Sequence, residues 1–189
     1  MKLIFLDVDG VLNSTKWYDK LHKENKPTIS SEMELMPNAM KYVGKLVEKT
    51  GAKVVLSSTW RISGKDSRHY INLTNQLKKY GVEIIGCTPV LWKSRGMEIQ
   101  RFIESFDNKN MKFNFTKNRY INPDPVDSIV IIDDDNDMLH LTRFLVQTRF
   151  KYGFTFFNYL KALKILRKGD YKKERMFWQR KNNWEQGGA

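Results

Sequence analysis

Short apolar runs recur along the chain, and each closes on polar or charged residues. Leu3–Leu6, Ala52–Ser57, Val82–Ile85 and Ser128–Ile132 are too short for helices and carry Val, Ile and Leu without alternation. That is the pattern of strands buried on both faces of a parallel sheet. Phe144–Gln147 is a candidate for one more. Between the runs the period lengthens to that of a helix. In Pro37–Lys49 the residues Met40, Val43, Leu46 and Val47 share one face, with Pro37 in the first turn and Gly51 as the cap. Residues 67–80, ended by Gly81, Met97–Phe106 and Leu160 to about Arg167 read as further helices. Residues 14–35 have no clear period, and 107–127 read as a loop or small excursion. Strands alternating with helices predict the α/β class: a Rossmann-like parallel sheet with helices on both faces. There is no internal repeat, so one domain over 1–167 is expected, followed by a separate tail over 168–189.

The chemistry collects at the ends of the strands. Leu3–Leu6 runs into Asp7, Asp9 and Gly10; the second strand into Ser57, Ser58, Thr59, Trp60 and Arg61. Lys93 and Arg95 precede the third-site helix, and the fourth strand ends in Asp133, Asp134 and Asp135, with Asp137 nearby. Strand ends of a doubly wound sheet converge on one crevice, where ligands bind. Carboxylates as close as Asp7 and Asp9 repel each other unless a cation or shared proton separates them. The set suits phosphoryl transfer. One carboxylate can attack phosphorus while a second protonates the leaving alcohol and later activates water. Hydroxyls and backbone N–H groups at a strand–helix turn can hold phosphate oxygens, and a Lys or Arg neutralises their charge. The remaining acids suit Mg²⁺, a hard cation that prefers oxygen ligands.

Charge narrows the partners. Lys and Arg number 33 against 21 acids, a net +12, which favours polyanions, nucleic acid first and acidic membrane surfaces second. The tail interleaves Lys172, Lys173, Arg175, Arg180 and Lys181 with Tyr171, Phe177, Trp178 and Trp184, the composition of a single-strand nucleic-acid contact or of a helix docked through its aromatics. Cys87 is the only cysteine, expected as a small core residue; an intramolecular disulfide and a thiolate metal cluster are excluded, which fits a reducing cytoplasm. The chain starts directly on its first strand with no secretory pattern, and no apolar stretch approaches the ~20 residues that span a bilayer. A cytoplasmic location without membrane association is expected.

Four ordered pieces carry a resemblance: Asp7-Val8-Asp9-Gly10-Val11, the Ser57 strand end, the basic residue before the third-site helix, and Asp133-Asp134. They resemble motifs I to IV of the haloacid dehalogenase (HAD) superfamily of phosphatases, across residues 3–137. The resemblance implies that Asp7 is the nucleophile and also touches Mg²⁺, and that Asp9 is the general acid and base with its main-chain carbonyl on the metal. Ser57 matches the phosphate-binding hydroxyl of motif II. Lys93 and Arg95 both fit motif III; Arg95 is favoured because Arg95-Gly96 directly precedes the helix. Asp133 and then Asp134 would hold the metal, with Asp137 in the outer shell or, like Asp135, serving a helix N-terminus. The runs Phe5–Asn13, Val54–Arg61, Arg95–Ile99 and Ile131–Asp135 are similar to a small nucleic-acid-repair branch, in outline the phosphatase domain of polynucleotide kinase-phosphatases. No Gly-x-x-x-x-Gly-Lys-Ser/Thr loop accompanies them, so a stand-alone phosphatase is implied.

In this reading Ser58 also lies at the phosphate, Arg61 holds the scissile or a second phosphate, and Trp60 stacks a base or packs. A minimal or absent cap is expected, with 14–35 as a short flap and 107–127 as a second rim. The expected function is Mg²⁺-dependent hydrolysis of a phosphomonoester on a nucleotide or nucleic-acid end. The rivals are the same chemistry on a small metabolite, and a nucleic-acid-binding protein without activity.

Overall fold

The computed structural model describes residues 1–171; the tail residues from Lys172 onward lie outside the described part. Five parallel strands form the central sheet: β1 (Lys2–Leu6), β2 (Lys53–Leu56), β3 (Ile84–Cys87), β6 (Ser128–Asp133) and β7 (Leu145–Gln147). Their order is β3-β2-β1-β6-β7, so the chain leaves β1 in one direction and returns on its other side. The gap between β1 and β6 is therefore the switch point at which such sheets bind ligands. β4 (Lys112–Asn114) and β5 (Arg119–Ile121) form a separate antiparallel hairpin.

Period-2 alternation sorts the strand residues onto two cores. Ile4, Leu6, Val54, Leu56, Val130 and Ile132 pack with Met40, Val43 and Leu46 of α2 (Pro37–Thr50), Leu73 and Leu77 of α3 (Arg68–Lys78), and Ala162 and Leu166 of α5 (Phe156–Lys168). On the opposite face Leu3, Phe5, Val55, Ile129 and Ile131 meet Ile99 and Ile103 of α4 (Arg95–Lys109) and Leu141 and Phe144 of the 3₁₀ segment Leu139–Phe144. Helices thus cover both faces. Gly51, in the left-handed region at φ 67°, ends α2.

Three expectations change. Residues 14–35 are not a flap without regular structure. Thr15–Lys23 form α1, capped by Ser14, and Leu21, Met33 and Leu35 are fully buried. Leu21 is the one buried residue of α1, so no apolar stripe announces the helix. The stretch after it is tied to α3 by side-chain amides: Asn72 donates to the carbonyls of Ser30 and Met33, and Gln76 to that of Met33. Residues 107–127 contain the β4–β5 hairpin and do not rim the strand ends. α4 carries the chain through 15 residues, about 22 Å, away from them. The return segment then pairs with the start of β1, where the Met1 amine lies 2.7 Å from Asp124. Tyr171, counted in the tail from sequence, is buried against Phe144 in the second core. Among the described residues, no helix is long and apolar enough to cross a membrane.

Candidate active site

Parallel register sets the first geometry. Leu6 lies opposite Leu56 of β2 and Ile132 of β6. The ladder continues one residue further: Asp7 N–H donates to the Ile132 carbonyl, Ser57 N–H to that of Leu6, Thr88 N–H to that of Leu56, and Thr148 N–H to that of Asp133. Asp7, Ser57 and Asp133 therefore end neighbouring strands at the inter-strand spacing of about 4.8 Å. Asp134 is brought in by the turn after β1. Gly10 sits at φ 68°, and a Cβ on it would lie 2.6 Å from Asp134 Cγ, so the absence of a side chain permits both the turn and the approach.

Carboxylate oxygens of Asp7, Asp133 and Asp134 lie within 4.8 Å of one another. Burial, and then the neighbouring Asp133 charge, push the Asp7 carboxyl up to about 8 despite Arg95 and a Ser58 hydrogen bond. Burial likewise raises Asp133 to about 6, opposed by Arg95, and raises Asp134. Three acids that resist ionisation together would be stabilised by a cation among them. The buried Asp133 Oδ2 has no hydrogen-bond partner, and three carboxylates are a hard-oxygen donor set. The site fits Mg²⁺.

Asp9 faces elsewhere. Its carboxylate accepts hydrogen bonds from Trp60 Nε1 at 2.9 Å and Asn13 Nδ2 at 2.7 Å. Asn13 in turn accepts from Gly10 N–H, and the N–H groups of Val11, Leu12 and Asn13 all turn toward the Val8 carbonyl. Asp9 therefore has its carboxylate committed outside the acid cluster. Trp60 is buried, with its N–H committed to Asp9, so it is not placed to stack a base. Sequence spacing does not reveal Asn13, because its contact depends on the tight 8–13 turn.

The cations divide sharply. Arg95 is in the site: its guanidinium lies 3.5 Å from Asp133 and 3.9 Å from Asp7, with Nη1 buried and free of a hydrogen-bond partner. Asp137 holds it there. One carboxylate oxygen accepts the Arg95 N–H at 2.8 Å and the Asp137 carbonyl accepts that of Gly96, an anion on the first turn of α4. A Cβ at Gly96 would collide with the Met138 carbonyl, so this junction needs glycine. Lys93 is exposed and lines a cavity together with Arg95, Asp135 and Asp137. Arg61 is occupied: it donates to the carbonyls of Ser58, Thr88 and Pro89 and pairs with Glu98 of α4. Both partners of that pair are buried, and the pair ties the Ser57–Ser58 turn to α4. Ser57 Oγ and Thr88 Oγ1 are buried without partners at the strand ends, whereas the Ser58 hydroxyl serves Asp7 and the N–H of Trp60. Asp135 is exposed and donates its N–H to Asp133.

Comparison with protein families matches residues 3–157 to the HAD domain in Swiss Army Knife RNA repair proteins. No curated protein and no solved structure matches the chain.

Two outcomes are expected. Asp7 keeps its proton to about pH 8 in the fold, against the ordinary 3.8 of an unfolded aspartate. Its contribution to stability is therefore complete below pH 3.8 and is lost as the pH rises through 8. Asp7→Asn should raise the melting temperature of the metal-free protein at pH 8.5, by about 2–4 °C per kcal/mol gained, and less at pH 5. Saturating Mg²⁺ should shrink the pH 8.5 difference; a variant less stable than wild type at pH 8.5 would contradict the reading. Breaking the buried pair by Arg61→Met should cost about 3–5 kcal/mol in urea unfolding. The Arg61→Met/Glu98→Leu double variant should recover part of that loss, and strictly additive losses would exclude the pairing.

Proposed function

The chain belongs to the HAD domains of Swiss Army Knife RNA repair proteins, and on that premise we propose a Mg²⁺-dependent phosphatase acting on the phosphomonoester of a nucleotide or nucleic-acid end. The observation that carries the chemistry is the separation of the two acids of Asp7-Val8-Asp9. Asp7 lies in the buried cluster with Asp133 and Arg95, while Asp9 is turned out and held by Trp60 and Asn13.

Asp7 attacks phosphorus, the bond from phosphorus to the ester oxygen breaks, and Asp9 gives that oxygen its proton. The phosphoryl group then rests on the Asp7 carboxylate as an acyl phosphate. Water attacks the same phosphorus from the side the alcohol left, Asp9 takes the proton, and inorganic phosphate departs with Asp7 regenerated. Arg95 offers its unpartnered Nη1 to the phosphoryl oxygens, and Ser57 its unpartnered hydroxyl. Asp7, Asp133 and Asp134, with the Asp9 carbonyl, would hold Mg²⁺, whose charge lets an anionic nucleophile approach an anionic phosphate. Ser58 orients Asp7, and Arg61 acts on the Ser57–Ser58 turn from behind rather than on phosphate.

The nucleic-acid substrate is supported by the family's setting in RNA repair proteins and by the net charge of +12. The basic, aromatic stretch from Lys172 to Trp184 belongs to the same reading as an added strand contact. A single cysteine suits work in a reducing cytoplasm.

A panel with Mg²⁺ should show turnover of phosphorylated nucleotides or oligonucleotides above sugar phosphates, abolished by a chelator. Asp7→Asn should remove on the order of 10³-fold or more of kcat, and Asp9→Asn about 10²–10⁴-fold. Full turnover by Asp7→Asn, or preference for sugar phosphates, would sink the proposal. A chain ending at Tyr171 should bind single-stranded oligonucleotide with a shallower dependence on salt than the full chain; an identical slope would return the tail to another role.

A further inference from the structure

The loop between β3 and α4 displays an exposed indole in a cavity that shares Arg95 with the acid cluster. Among the tryptophans at described positions, Trp60 is buried, Trp17 is half-buried, and Trp92 is 81% exposed. Trp92 also sits at φ 53°, in the left-handed region that a bulky side chain rarely enters. Such a conformation persists where the surroundings over-determine it. Here the loop is pinned on both sides. Leu91 N–H donates to Glu98 Oε1 at 2.9 Å, Arg61 holds the Thr88 and Pro89 carbonyls, and Asp137 holds the Arg95 N–H. The backbone on either side of Trp92 is held by these contacts, and the indole itself is exposed.

Trp92 lines a cavity of about 170 Å³ together with Thr59, Ile62, Val90, Lys93 and Arg95. Arg95 is the shared wall, since its guanidinium also reaches toward Asp7 and Asp133. The cavity's charges point to an uncharged occupant. Arg61 is spent on Glu98, and Asp135 and Asp137 oppose Lys93. A second phosphate would meet two carboxylates, whereas a planar ring finds an indole face, the exposed side chains of Ile62 and Val90, and the Thr59 hydroxyl at its edge.

We propose that Trp92 is the stacking platform for the nucleobase adjoining the scissile phosphate, so that the site reads its substrate as a base-bearing phosphomonoester. Base–indole stacking tolerates any base, so the platform would select for the presence of a base and not for its identity. The stacking role considered for Trp60 from sequence thus falls to Trp92. This inference rests on the nucleic-acid reading above.

The test compares kcat/KM for a nucleoside monophosphate or end-phosphorylated oligonucleotide with that for ribose 5-phosphate. Trp92→Ala should lower this ratio about tenfold or more, mainly through KM, and Trp92→Phe should restore most of it. Binding gives a second readout. An oligonucleotide carrying 2-aminopurine next to its terminal phosphate should be quenched on binding Asp7→Asn protein, and the quenching should be lost in Asp7→Asn/Trp92→Ala. If wild type shows no preference for base-bearing substrates, the nucleic-acid reading itself fails. If the preference and the quenching survive Trp92→Ala, only the platform is overturned. Loss of self-association in Trp92→Ala with the preference intact would give the indole to a protein contact and overturn it equally.

Discussion

Everything at this site depends on the register of three parallel strands. Because Leu6 pairs with both Leu56 and Ile132, the residues that follow are forced into one row at the carboxyl edge of the sheet. Two carboxylates and a serine hydroxyl are thereby buried side by side, an arrangement that the hydrophobic strands below make possible and electrostatics opposes. The raised Asp7 and Asp133 carboxyls express that opposition. Arg95 offsets part of it, and a divalent cation among Asp7, Asp133 and Asp134 would offset the rest. A one-residue slip of either neighbour would turn these groups into the sheet faces and dissolve the site.

The walls of the row are tied together by buried polar contacts. Arg61 and Glu98 join the turn after β2 to α4, and Asp137 joins the loop after β6 to the first residues of the same helix. α4 is therefore anchored from two strand ends at once, and Arg95 at its start is positioned by both. Ionic groups this deeply buried contribute geometry more readily than net stability, because desolvation consumes much of their attraction. Their placement suits a site in which a guanidinium must meet carboxylates without moving.

Part of this arrangement is legible in local sequence pattern. The apolar runs locate the strands, the acids after β1 and β6 locate the cluster, and Arg95 begins a helix whose start lies against those acids. A side chain whose partner is distant along the chain is not legible in that way. Trp60 and Arg61 lie just past the second strand and look available to substrate, yet Trp60 is committed to Asp9 and Arg61 to Glu98 and three carbonyls. Asn13 carries no mark in its spacing. The segment 107–127 looked like a rim because helix direction, which sends α4 away from the site, is not visible as composition.

The alternation of strands and helices, the chemical identity of the strand-end groups and the basic balance that favours a polyanion are all written in the chain. Those properties reside in single residues and short periods. Tertiary structure alone decided which of the candidate groups face one another: Asp7 in the cluster and Asp9 outside it, Arg61 behind the site and Arg95 within it, Trp60 buried and Trp92 displayed. Asp7 and Asp9 are near neighbours in the chain, while Arg61 and Arg95, like Trp60 and Trp92, follow different strands; in each pair the two residues are of one type, and local propensity treats them alike. Only strand register, turn geometry and the seating of α4 give them different surroundings.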